Sequence, residues 1–158
     1  MCVEPQRRFA GIIQKSRTCG VVNAAVSPSD DETIEIRVGG VLGGKIGSLS
    51  KEDRAEKLSM SYPEHQNKVK GFRLSTIFAV NRVQQIDHLS IDCEGCELDT
   101  LASIDFQSVK IRVIQIERND KGKEIKEYLD KQGYTWVEDM GEDSIHIINA
   151  EVGNYVKG

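Results

Sequence analysis

The stretch Ile86–Glu117, IDHLSIDCEGCELDTLASIDFQSVKIRVIQIE, decides the fold. It opens on an extended run, HLSI (His88–Ile91), passes through the acidic turn DCEGCE, and continues with Leu98, Leu101 and Ile104 spaced for one helical face. Ile111–Ile116 (IRVIQI) then reads as a second strand running into Glu117. A strand, a helix and a second strand predict a parallel pair joined by a right-handed crossover.

The same alternation extends in both directions. Towards the C-terminus, a helix from about Gly122 carries Ile125, Tyr128 and Leu129 and stops at Gly133. Two closing strands, Tyr134–Val137 and Ile145–Ile148, flank the turn-rich DMGEDS, the spacing of a wide hairpin. Towards the N-terminus, Met1–Val3 is a short strand. Pro5 opens a helix whose apolar face is Phe9, Ile12 and Ile13, and Val21–Val26 is a strand buried on both faces. Between about residues 27 and 73 the sequence predicts an excursion: Thr33–Val38 and Val69–Leu74 as an antiparallel pair around the glycines at 39–47 and a polar run at 48–67. The expected fold class is α/β, a single domain over residues 1–158, with a Rossmann-like sheet that is mostly parallel and has an antiparallel C-terminal edge.

Composition narrows the function. With 21 Lys+Arg against 25 Asp+Glu, the net charge of −4 argues against a protein that grips a nucleic-acid backbone. No stretch approaches the ~18 apolar residues of a membrane span, and the first residues do not form a signal peptide. The four cysteines, Cys2, Cys19, Cys93 and Cys96, give no disulfide framework, so a reducing, cytoplasmic setting is expected.

In open α/β sheets ligands bind beyond the carboxyl ends of the strands. Three such ends carry acids here: Glu4, Asp92 with Glu94, and Glu117. Glu4 is placed to accept both hydroxyls of a ribose, whereas Asp92, Glu94 and Glu97 would equally complement the dipole of the helix they precede.

The D-x-E-G-x-E arrangement of Asp92, Glu94, Gly95 and Glu97, with SIDF (Ser103–Phe106), IRVIQIE and the later Gly133-Tyr134, resembles the FkbM family of methyltransferases, and CVEP (Cys2–Pro5) and AAVS (Ala24–Ser27) are similar to that family's second and third strands. The resemblance implies S-adenosylmethionine as cofactor. Glu4 and Pro5 would lie at its ribose, Ala25, Val26 and Ser27 beside its adenine, and Asp92 near its methionine end. The implied reaction is O-methylation of a hydroxyl on a sugar or small natural product, with Glu94 or Asp92 as general base, and Glu117 or His146 as further candidates for that role. The resemblance also implies a first strand and glycine-rich turn ahead of Glu4. The expected sheet is missing that strand, and its open edges predict self-association.

Two other classes compete. One is a non-catalytic α/β interaction module that has lost cofactor binding. The other is a dithiol redox protein built on Cys93-x-x-Cys96, although Glu94 between the cysteines disfavours a thiolate. No metal site is assigned from the cysteines or from His65, His88 and His146.

Overall fold

The computed structural model describes residues 1–38 and 65–155. The glycine cluster at 39–47 and most of the polar run that follows it lie outside the described residues.

The chain runs β1 (Cys2–Val3), α1 (Arg7–Ser16), β2 (Val21–Val22), β3 (Ala25–Val26), β4 (Glu32–Val38), β5 (His65–Phe72), α2 (Leu74–Val80), β6 (Gln85–Ile91), α3 (Glu97–Ala102), β7 (Lys110–Glu117), α4 (Gly122–Lys131), β8 (Tyr134–Met140), β9 (Asp143–Ile148), a 3₁₀ turn (Asn149–Glu151) and α5 (Val152–Tyr155). The strands form three ladders: β1–β2, β3–β5–β4 and β6–β7–β9–β8.

The deciding stretch folds as its pattern predicts. β6 and β7 pair in parallel, Ile86 opposite Ile111 and Ile91 opposite Ile116, with α3 as the crossover. β9 lies antiparallel between β7 and β8, so the C-terminal edge is antiparallel as expected. Ile111, Ile114 and Ile116 of β7 are fully buried with Leu101 of α3 and Ile125 and Leu129 of α4. Each such side chain contributes about 1.5–3 kcal/mol by leaving water. The Tyr134 hydroxyl, donating to the Ile111 carbonyl at 2.9 Å, fixes the start of β8 to this core.

The strands fall into three ladders with a break where a sheet missing its first strand would have one: among the described residues, β1 pairs only with β2, and β6 only with β7. Three other expectations are corrected. The single strand Val21–Val26 is divided at Asn23-Ala24, because Asn23 turns its side-chain amide onto the Glu4 and Pro5 carbonyls at 2.8 and 3.1 Å. The second half of that strand, as β3, joins the 27–73 region, pairing Ala25 with Gly71 and Val26 with Phe72. On α1 the predicted apolar face is largely open, with Phe9 43% and Ile12 50% exposed, while Ala10 is the buried residue. The C-terminal hairpin is tight rather than wide, since Met140 pairs with Asp143 across Gly141-Glu142, and Gly141 takes the left-handed φ of 64° that such a turn requires at its first position.

Candidate active site

A cavity of about 290 Å³ opens where the ends of β1 and β3, the face of β4 and the loop between β6 and α3 meet. Of the residues singled out in the sequence, Glu4, Pro5, Ala25, Val26, Asp92 and Glu94 line it together. The carboxyl ends of β1 and β6 thus face one space. Gln6, Ile34 and Ile36 also line it. The two isoleucines come from β4, so the predicted excursion supplies one wall, and their alternation in Thr33–Val38 was the signal for it. Among the described residues of the lining, three are carboxylates and none is Lys or Arg.

Glu4 is held from both sides. Its backbone N–H donates to the Val22 carbonyl at 3.0 Å, extending the β1–β2 ladder by one step, and Asn23 holds its carbonyl. Its Oε1 accepts the Gln6 N–H at 2.6 Å. Ser27 falls outside the lining. It is fully buried and its hydroxyl donates to the Glu32 carboxylate, which braces the turn into β4.

The loop after β6 folds around a residue that the sequence pattern left as a dipole partner. Glu97, in the first turn of α3, is fully buried, and its Oε1 accepts the Gly95 N–H at 2.9 Å and the Cys93 N–H at 3.3 Å. Glu94 and Gly95 adopt left-handed φ values of 57° and 97°. Cys93 and Cys96, the pair on which the dithiol reading of the sequence rests, are joined in a disulfide across these two residues. Cys2 and Cys19 remain thiols, their sulfurs 3.3 Å apart.

The acids at these strand ends repel one another. Asp92 is exposed at the residue level, yet partial desolvation of its carboxyl first, and then the charges of Asp143, Glu97 and Glu142, hold it above its usual range. Glu117 is raised too, again chiefly by burial and also by Asp92, while the Asn119 side-chain amide, donating at 2.8 Å, works against the shift. Glu117 is not part of the cavity lining. Neither is His146, which is fully buried on β9 with its Nε2 3.0 Å from the Ser144 hydroxyl; burial pushes its pKa down to about 4.

A second, larger groove of about 610 Å³ runs between β1 and β6, where the ladders part. Val3, Leu74, Phe78, Ile86, Leu89 and Ile91 supply much of its wall, and Asp92 and Cys93 sit at the point where it meets the first cavity.

An α/β chain whose parallel strand ends converge on an acid-lined, otherwise apolar cavity has the layout of a nucleotide-type cofactor site. The Methyltransferase FkbM domain matches residues 2–135, which is most of the chain, and the protein belongs to that family. No curated protein matches the chain, and no solved structure does.

Proposed function

We propose that the chain is an S-adenosylmethionine-dependent methyltransferase that acts on a hydroxyl of a sugar or small natural product, and that its copies self-associate through the open strand edges of β1 and β6. The observation that carries the catalytic reading is the convergence of Glu4, from β1, with Asp92 and Glu94, from the end of β6, on one cavity.

The lining fits the cofactor's chemistry. S-Adenosylmethionine supplies an electrophilic methyl on a sulfonium, and three carboxylates among the described lining residues suit a cationic ligand. Glu4 would bind the ribose hydroxyls. The small side chains of Ala24 and Ala25, with Val26, leave an apolar wall for a flat ring. Asp92 and Glu94 would orient the acceptor hydroxyl and take its proton. Asp92, whose carboxyl is raised above its usual range, is a stronger base for that transfer than an ordinary carboxylate. The remaining catalytic contribution is alignment of the acceptor oxygen with the methyl group.

Calorimetry with S-adenosylhomocysteine tests the reading: a Kd in the micromolar range, about −7 to −8 kcal/mol, that Glu4→Ala weakens by tenfold or more supports it. A chain that binds neither S-adenosylmethionine nor its demethylated product would be a non-catalytic module. That second reading is favoured by the break between β1 and β6, which leaves the cavity open on one side.

A further inference from the structure

We propose that Cys93 and Cys96 are a reversible thiol–disulfide modification site that fastens the acid-bearing loop of the cavity; its effect on ligand binding rests on the methyltransferase reading, while the modification itself does not. The bond joins residues whose Cα atoms are 5.5 Å apart, an ordinary separation for a disulfide. Both cysteines are half-buried and line the cavity, within reach of a small thiol. Closing so short a loop restrains little of the unfolded chain, so global stability is not the main consequence of the bond.

Its local consequence is larger. The bond spans Glu94 and Gly95, and Glu94 is a non-glycine residue at φ 57°, a conformation that the surroundings must impose. Asp92 and Glu94, the two acids of the loop, are thus anchored by the bridge and by the amides that Glu97 holds. The open form is accommodated as well. In the bridged structure the Cys93 sulfur already lies 3.5 Å from Glu97 Oε1 and 3.6 Å from Thr100 Oγ1, and the Cys96 sulfur 3.7 Å from Thr100 Oγ1, so cleavage would leave each thiol beside an acceptor. Acceptors for both thiols make the reduced loop compatible with the same fold.

The step balances with a small thiol of the glutathione class. One thiolate attacks a bridge sulfur and forms a mixed disulfide, releasing the other cysteine. A second thiol resolves it, so that two electrons and two protons reach Cys93 and Cys96 and one small-molecule disulfide leaves. The acids around the pair disfavour a thiolate, which suits a slow modification rather than a turnover catalyst.

The test equilibrates the full chain in glutathione buffers of stepped ratio and reads differential alkylation by mass spectrometry, amide exchange over residues 92–97, and S-adenosylhomocysteine affinity. Cys93 and Cys96 should become alkylatable together, with exchange in the loop rising about tenfold on reduction and affinity falling about threefold or more. Cys93→Ser/Cys96→Ser should show the fast exchange in every buffer. Cys93 and Cys96 staying alkylatable under oxidising conditions, a bridge that opens without changing loop exchange, or a double variant whose exchange over residues 92–97 still responds to glutathione would each overturn the proposal. If neither redox form binds S-adenosylhomocysteine, the methyltransferase reading fails and the exchange data alone decide this one.

Discussion

Glu97 reaches back from the first turn of α3 to accept the Gly95 N–H at 2.9 Å, and so a fully buried carboxylate shapes the loop that presents Asp92 and Glu94 to the cavity. Its second oxygen has no hydrogen-bond partner among the described residues. The side chain is therefore held for what Oε1 does. Glu97→Ala strands the Cys93 and Gly95 amides, at a cost of about 2 kcal/mol, and should lower Tm by about 5 °C while speeding amide exchange at 92–96. Glu97→Gln keeps an oxygen acceptor and should lose less on both measures. Equal losses in the two variants would show that charge, not acceptance of these amides, is what the loop needs.

His146 sets the acid limb of stability. Burial keeps its imidazole neutral in the native fold, with a pKa pushed down to about 4, whereas in the unfolded chain it protonates near its ordinary value of 6.5. The unfolded state thus takes up the proton first. The contribution is present above pH 6.5 and is lost as pH falls towards 4, up to about 3 kcal/mol in all. Urea titrations between pH 7.5 and 5 should show this loss, and His146→Gln should flatten it.

Asp92 and Glu117 carry the opposite sign. Their folded carboxyls are held above the usual range, so the native state binds these protons more readily than the unfolded chain. Their charged forms cost stability as pH rises from the ordinary carboxyl range near 4. Asp92→Asn should therefore raise Tm at pH 7.5 and have little effect near pH 4. A lower Tm at pH 7.5 would mean that the Asp92 charge has a stabilising partner.

Much of this arrangement was legible in the sequence because it is local. IDHLSI, DCEGCE and IRVIQI specify a strand, a turn and a strand by periodicity, and the acids fall at strand ends by position alone. What was not legible depends on contacts between distant segments. Nothing in VVNAAV reveals that Asn23 would turn onto the Glu4 and Pro5 carbonyls and divide the strand. Nor does AAVS reveal that Glu32, five residues on from Ser27, accepts its hydroxyl. Glu97 looks like any acid in a first helical turn; its burial follows from the return of the preceding loop over it. Phe9 and Ile12 have helical spacing, but α1 flanks a two-stranded ladder that covers little of their face.

Gly71 tests whether β4 is a true wall of the site. It sits in β5 opposite Ala25 and Glu32, and a Cβ there would run into Ile34 Cδ1 and lie 3.0 Å from the Ser27 Cβ. Ile34 lines the cavity, so it cannot yield without changing the cavity's shape. Gly71→Ala should cost about 1–3 kcal/mol and weaken S-adenosylhomocysteine binding in calorimetry. Wild-type affinity in the variant would remove Ile34 from the site.

The gap between β1 and β6 bears on assembly. Each strand has one hydrogen-bonded neighbour among the described residues, and the groove between them is walled by Val3, Ile86, Leu89 and Ile91. Unpaired strand edges beside an apolar groove recruit another strand, and the commonest available one belongs to a second copy. Sedimentation equilibrium should give a mass above the 17.6 kDa of one chain, rising with concentration from the micromolar to the near-millimolar range. Ser90 is exposed on β6 and lines the groove, so Ser90→Lys puts a charge on that edge and should shift the population towards single chains. A single 17.6 kDa species over the whole range would mean that the two edges leave no site for a second copy, and the self-association would have to be abandoned.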